Sequence, residues 1–424
     1  MNLTFTRLSA LRGEFRPPSD KSMSHRSYML AAIASGPSLV RNPLRGEDCE
    51  STRNALIRMG LRHEMVADNE FRLVPCKEWG QPAEPLDCGN SGTTIRLLSG
   101  LVASRPLKVT MFGDASLSKR PMRRIAEPLR LMGATFDGET PPVTIQGRHL
   151  SAISYNTPVA SAQIKSAVLL AALRADGVTV VTEPSLSRDH TERMLAATGV
   201  KVDRTGLVVS IAGNQQPSGF EFDVPADMSS AAFFLVAAAL MNGSQVTAQE
   251  IAINPTRSGI LEVFEQVGVP YELLNPRVTM NEPVADVTVG TAPILRPFKI
   301  DEELVPRLID EIPVLAVLGT QCEGTSVIRG ARELRVKESD RIMVMAEGLT
   351  RMGAKVEVFE DGMAISGPTP LTGIKVDSHL DHRIAMSFAI AGSIARDVTE
   401  IVGAESIQTS FPTFESELNR LGIS

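Results

Sequence analysis

One short pattern recurs six times along this 424-residue chain, and it constrains the fold more than any other feature. A helix-like stretch ends in an apolar residue, then glycine, then a small or aliphatic residue. It reads RMGL, LMGA, ATGV, QVGV, RMGA and RLGI, with glycines at Gly60, Gly133, Gly199, Gly268, Gly353 and Gly422, spaced 66 to 85 residues apart. Self-similarity at a regular spacing marks a repeated supersecondary unit. Glycine after a helical stretch and before a β-rich segment is a C-cap signature, because it enters the left-handed region without steric cost. Each of these glycines is therefore expected to close a helix.

A second helix recurs in the same rhythm, as SHRSYMLAAIASG, GTTIRLLSGLVAS, QIKSAVLLAALRADG, SSAAFFLVAAALMNG, DEIPVLAVLGTQCEG and HRIAMSFAIAGSIA. These are Ala- and Leu-rich on almost every side, which predicts burial. Strand-like runs follow them: SLVRN, LKVTMFG, VTVVTE, SQVTAQE, TSVIRG and VTEIVG. The chain reads as six α/β units with apolar inner helices and amphipathic outer ones. Two layers, or two lobes of three units, both satisfy the repeat.

Composition narrows the function. Aromatics are 4% and the net charge is −6, so neither stacking platforms nor a basic footprint for nucleic acid is present. The longest apolar run, Ala231 to Met241, is eleven residues, against the ~20 that a membrane helix needs. The N-terminus has charges throughout and no central apolar block, unlike a secretory signal. Cys49, Cys76, Cys88 and Cys322 form no CxxC pair and are expected to be reduced thiols. A cytoplasmic protein without membrane or nucleic-acid partners is the expectation.

Polar clusters stand where a core needs none: SDKSMSHR (19–26), GNSGTTIR (89–96), SAQIKS (161–166), IDEIP (309–313), KESDR (337–341) and DHR (381–383). KESDR opens an amphipathic helix, and the others lie at or just before an apolar one. Helix N-termini expose unpaired N–H groups and a positive dipole end, which favour phosphate and carboxylate. Lys21, Arg26, Arg96, Lys337, Arg341 and Arg383 reinforce that bias, and Arg120 and Arg188 extend it. The expected ligands carry two or more anionic groups. There is no GxxxxGK[ST] or GxGxxG loop and no nucleophile elbow. His379 and His382 with Asp377 and Asp381 could imitate a metal site, but no HExxH spacing supports one and Arg383 would repel a cation. What remains is acid–base chemistry, with Asp310 and Glu338 as the carboxylates.

Taken together, PSDKSMSHR, GNSGTTIR, KRPM, SAQIKS, SRDHTE, IDEIP, ELRVKESDR, DHRIAM and SFPTF resemble, in order and spacing, the EPSP synthases of the enolpyruvyl transferase family, over essentially the whole chain. The resemblance implies a two-lobed inside-out α/β barrel of six βαβαββ repeats, three per lobe. Residues 21–225 would form the lobe mainly for shikimate 3-phosphate. Residues 1–20 and 226–424 would form the lobe carrying the catalytic carboxylates and the phosphoenolpyruvate side, with the active site in the cleft between. It further implies transfer of the enolpyruvyl group of phosphoenolpyruvate to the 5-hydroxyl of shikimate 3-phosphate by addition and elimination, in a monomer, with no metal or organic cofactor.

Residue by residue, the resemblance assigns Lys21, Ser22, Arg26, Ser161, Ala162, Gln163 and Arg188 to shikimate 3-phosphate, with Asp310 and Lys337 beside the reacting hydroxyl. It assigns Lys21, Asn90, Gly92, Thr93, Arg120, Gln163, Arg341, His382 and Arg383 to phosphoenolpyruvate. Asp310 matches the base for the 5-hydroxyl, Glu338 the group that protonates and later deprotonates the methylene carbon, and Lys21 reaches both substrates. Ala162, Thr409 and Leu97 depart from residues common in the family: serine, lysine and proline respectively. Gly92 is the open position where members tolerant of the inhibitor glyphosate often carry alanine. The related UDP-N-acetylglucosamine enolpyruvyl transferases carry a loop cysteine and a Lys-Asn pair near the start, and both are missing here. A non-catalytic anion-binding protein on the same scaffold would lack Asp310 or Glu338.

Overall fold

The structure is a computed structural model that describes residues 1–75 and 77–423; Cys76 lies outside the described residues. Cys49, Cys88 and Cys322 are buried free thiols. The chain divides into two compact units, one of Met1–Pro18, Pro225–Arg277 and Pro283–Ser424, the other of Ser19–Val224 and Val278–Glu282.

The repeat is the same wherever it is complete. In the second unit, strand Leu86–Asp87 leads into helix Gly92–Ala103, strand Lys108–Phe112, helix Arg123–Leu131, then strands Thr135–Asp137 and Val143–Gln146. The first strand pairs in parallel with the second, and the last two close the sheet antiparallel. Strands Ser154–Asn156, Val178–Thr182, Val208–Ala212 and Val202–Thr205 form a sheet of the same order around helices Ala162–Ala172 and His190–Ala197. In the sheet of Ser38–Arg41, Arg62–Ala67 and Glu70–Val74, the outer parallel strand is Glu221–Asp223, from the far end of the unit.

The first unit repeats the plan twice in full. Strands Ala10–Phe15, Gln245–Ala252, Glu282–Gly290 and Tyr271–Thr279 surround one pair of helices, and Lys299–Ile300, Gly324–Ile328, Gly362–Gly367 and Lys355–Phe359 another. In its third repeat the N-terminal strand Asn2–Phe5 completes a sheet with Thr399–Val402 and Lys375–Asp377.

The repeated helices are buried as their composition requires. In Met228–Leu240 each of Ala231 to Ala239 is at most 1% exposed. It packs against Ile312–Gly319 and His382–Ile394 in the core of the first unit. Strands alternate one buried face with one open face, as Val109 and Met111 do against exposed Lys108 and Phe112. The six glycines each follow a helix, but they divide. Gly60, Gly133, Gly199, Gly268 and Gly353 have φ between 86° and 115°, whereas Gly422 has φ −73°. It leaves its helix directly in extended form, because Gly422–Ile423 pairs with Ala10 and Leu11 as a strand. The left-handed expectation is corrected there.

Gly100 has a different duty. Helices Gly92–Ala103 and Ala162–Ala172 approach so closely that a Cβ on Gly100 would collide with the Ala167 carbonyl. Gly100→Ala is therefore expected to lower unfolding free energy by about 1–3 kcal/mol in a denaturant titration; unchanged stability would mean that this contact is looser than the structure has it.

Candidate active site

In the second unit, three buried helices begin in polar turns, and side-chain hydrogen bonds tie the start of Gly92–Ala103 to that of Ala162–Ala172. Asp20 caps Lys21–Ile33 by accepting from the Met23 amide (2.7 Å), and Ser91 caps Gly92–Ala103 by accepting from the Thr94 amide (3.1 Å). Ser161 stands at the cap of Ala162–Ala172. Arg96 Nη1 donates to Gln163 Oε1 at 2.6 Å, and Gln163 Nε2 donates to Thr93 at 3.2 Å. Arg120 donates to Asn90 Oδ1 at 2.5 Å, and Asn90 in turn donates to Asp114. A Cβ on Gly92 would lie 3.0 Å from Arg96 Nη1 and 3.4 Å from Arg120 Nη1, so both guanidinium tips gather over this glycine.

Arg26 is 4% exposed and held by neutral oxygens: Nε donates to Thr191 (2.7 Å), Nη2 to Ser166 (2.8 Å) and Nη1 to the Ser22 carbonyl (3.0 Å). Burial pushes its pKa down to about 10, partly offset by Glu192 and Asp20 and reinforced by half-buried Arg188 nearby. Lys21 forms an ion pair with Asp48. Lys165, in the SAQIKS motif, is fully buried and pairs with Glu183 (2.6 Å) and Glu192 (2.8 Å), so it is part of the core.

The first unit has a different chemistry. Arg341, in the first turn of helix Arg341–Arg351, is 1% exposed and engages three carboxylates. Nε donates to Asp381 (2.8 Å), Nη2 to Glu338 (2.6 Å) and Nη1 to Asp310 (3.4 Å). Burial alone would lower its pKa, but Asp381, Glu338 and Asp310 together raise it above the ordinary arginine range. Asp381 also caps His382–Ile394, accepting from the Arg383 amide (3.0 Å), and Arg341 and His382 hold its carboxyl below the usual range against the effect of burial. Asp310, 9% exposed, lies before helix Ile312–Gly319. Arg257 (3.6 Å), Arg383 (3.6 Å) and Lys337 (3.9 Å) also face its carboxylate. Glu338 is more open, with 28% of its side chain exposed. His382 is buried in the first turn of its helix, and Thr409 is half-buried at the end of the 3-10 helix Ala404–Thr409.

Thus Lys21, Ser22, Arg26, Asn90, Gly92, Thr93, Arg120, Ser161, Ala162, Gln163 and Arg188 fall in one unit, and Asp310, Lys337, Glu338, Arg341, His382 and Arg383 in the other. Reasoning from the sequence missed Arg257, Asp227 and Asp48. Asp227 had a signal, an aspartate just before an apolar helix; Arg257 sits in a loop with nothing to mark it. Among the described residues no cluster of His, Cys, Asp and Glu could hold a metal ion, and no helix is long and apolar enough to cross a membrane.

Sheets of this order packed against buried apolar helices, with cations and carboxylates gathered at the helix starts, make an α/β fold whose charged groups suit polyanionic ligands. The comparisons with known proteins are specific. The family model for EPSP synthase (3-phosphoshikimate 1-carboxyvinyltransferase) matches residues 5–418, and the chain belongs to that family. Curated 3-phosphoshikimate 1-carboxyvinyltransferases from Bacillus licheniformis and Brevibacillus brevis are 48% and 49% identical, covering 98% and 97% of both chains. An EPSP synthase structure from Acinetobacter baumannii superposes with a TM-score of 0.90 at 45% identity, covering 99% of this chain and 98% of that one. The fold is accordingly the six-repeat α/β fold of that family.

A second buried group supports the GNSGT turn. His25 Nδ1 meets Thr52 Oγ1 (2.7 Å), Thr52 meets Thr94 (2.6 Å), and Thr94 donates to the cap Ser91 (2.7 Å). Burial lowers the His25 pKa from 6.5 to about 3. Above pH 6.5 the ring is neutral in folded and unfolded chains alike. As the pH falls below 6.5, the unfolded chain takes up a proton that the folded one refuses until about pH 3, so stability is lost across that window. Relative to His25→Gln, the wild type should lose unfolding midpoint progressively from pH 6.5 toward 3. A constant offset between the two would show that His25 titrates freely in the folded protein.

Proposed function

We propose that the protein transfers the enolpyruvyl group of phosphoenolpyruvate to the 5-hydroxyl of shikimate 3-phosphate, releasing phosphate, and that it uses the polar groups of both units to do so. The observation that carries this reading is Arg341, one buried guanidinium engaging both Asp310 and Glu338, the two carboxylates that the transfer requires. Residues 21–225 take shikimate 3-phosphate through Lys21, Ser22, Arg26, Ser161, Ala162, Gln163 and Arg188. Residues 1–20 and 226–424 supply the proton chemistry. Phosphoenolpyruvate is held by Lys21, Arg120, Gln163, Arg341 and Arg383, with Asn90, Gly92 and Thr93 shaping the loop and His382 behind. Each substrate carries a carboxylate and a phosphate, and guanidinium forks suit both.

In the addition, Asp310 takes the proton of the 5-hydroxyl as its oxygen bonds to the central carbon of phosphoenolpyruvate, and Glu338 delivers a proton to the methylene carbon. In the elimination, Glu338 removes a proton from the resulting methyl group. The bond from carbon to the phosphate oxygen then breaks, and the departing phosphate takes up the proton held by Asp310. Arg341, fixed by Asp381, compensates the changing charge on both carboxylates without reorganising. The protein is proposed to work as a monomer in the cytoplasm, with the two small-molecule substrates as its partners.

Phosphate release should require shikimate 3-phosphate and fail with UDP-N-acetylglucosamine as acceptor; release with the nucleotide sugar alone would refute the assignment. Asp310→Asn and Glu338→Gln should each cut kcat by roughly 10²–10⁴, with shikimate 3-phosphate affinity nearly unchanged. Loss of affinity in place of rate would show that these carboxylates bind and do not transfer protons. Gly92→Ala must shift the Arg96 tip slightly and sets a methyl group against Arg120, so it should raise KM for phosphoenolpyruvate, and raise the inhibition constant of the longer glyphosate more. Equal rises in an inhibition titration would discard the steric account.

A further inference from the structure

Behind Asp310 lies a chain of buried polar groups with no part in the proton transfers above. Arg257, 3% exposed, comes from the segment before helix Gly259–Val267 and points Nη1 at Asp310 Oδ2, 3.6 Å away. Its Nη2 donates to Asp227 Oδ1 (2.7 Å) and to Ser229 Oγ (2.8 Å). Asp227 is itself fixed, since it caps helix Met228–Leu240 by accepting from the Ser229 amide (2.8 Å). Ser229 Oγ closes the chain by donating to Glu311 Oε1. Glu311 is 1% exposed and adjoins Asp310 in sequence; burial raises its pKa, with Asp310 adding to the rise and Arg257 opposing it. The planar fork is thus anchored on one nitrogen and presents the other to Asp310, a geometry that lysine cannot reproduce. Arg341, Arg383 and Lys337 also face Asp310; the reading above gives Arg341 and Arg383 a part in holding phosphoenolpyruvate, and the family resemblance puts Lys337 beside the reacting hydroxyl, whereas Arg257 is given no contact with substrate.

We propose that Arg257 is a positioning residue for enolpyruvyl transfer: anchored by Asp227 and by Ser229, which Glu311 orients, it fixes the Asp310 carboxylate in line with the hydroxyl it deprotonates. The proposal rests on the reading of Asp310 as the base. A carboxylate that swings by an ångström leaves the reactive geometry, which lowers turnover more than it lowers affinity.

The test measures kcat, KM for shikimate 3-phosphate and thermal unfolding for Arg257→Lys, Ser229→Ala, Asp310→Asn, and each of the first two combined with Asp310→Asn. Arg257→Lys should lower kcat about 10- to 100-fold with KM within about threefold, and Ser229→Ala should lower it less in the same pattern. In the Asp310→Asn background both losses should shrink to about threefold or less, because a residue that acts through Asp310 has nothing left to position. A purely structural role would multiply through unchanged in that background, and that result, or unaltered kcat in Arg257→Lys, overturns the proposal. If Arg257→Lys does not fold, the Ser229→Ala pair decides alone by the same comparison. Wild-type turnover in Asp310→Asn would remove the assignment of the base itself, and it is recognisable as such from the single variant.

Discussion

An arginine removed from water must be met by hydrogen-bond acceptors or by counter-charge, and at Arg341 the counter-charge ties three segments of its unit together. Its guanidinium is 1% exposed and reaches carboxylates from three segments: Asp381 at one helix cap, Glu338 just ahead of its own helix, and Asp310 before a third helix. Leaving any buried charge uncompensated costs roughly 3–5 kcal/mol, so these segments cannot drift independently. Such an ion cluster is a poor way to gain stability, because desolvation consumes most of the Coulombic gain. Its return is geometric. Asp310 and Glu338, the carboxylates proposed above to exchange protons with substrate, are both held to one rigid planar group.

The second unit treats its cations in another way. Arg26 is held by Thr191, Ser166 and a backbone carbonyl, Arg96 by the Gln163 amide, and Arg120 by the Asn90 amide. A neutral oxygen orients a guanidinium without itself adding a counter-charge. Lys21 is paired with Asp48 instead, and a single flexible ammonium is held less rigidly than a planar fork locked in two bonds.

These arrangements were unequally legible in the sequence. The inner helices and the strands after them could be read because burial on all sides demands an apolar composition, as in Met228–Leu240. The helix-ending glycines could be read because positive φ excludes most other residues. Gly422 escaped because its backbone is set by pairing with Ala10 and Leu11, some four hundred residues away in the chain. The polar clusters were visible because each adjoins an apolar helix, yet a cluster does not say which of its members faces inward. Lys165 stands in the same SAQIKS motif as Gln163 and is buried against Glu183 and Glu192.

Arg257 shows where sequence pattern stops being informative. It sits in a loop, far in sequence from Asp310, and nothing in Thr256-Arg257-Ser258 separates it from an ordinary surface arginine. Only the fold brings it against Asp227 and Asp310, through the turn that Asn254 accepts from Thr256 and the backbone bonds that follow. A residue that contacts substrate is constrained by the substrate's chemistry, so its type and neighbours carry a signal. A residue that acts through another is constrained by where the chain happens to pass, and that is a property of the assembled repeat. The supporting layer of such a site is therefore read from coordinates, and the reacting layer from the sequence.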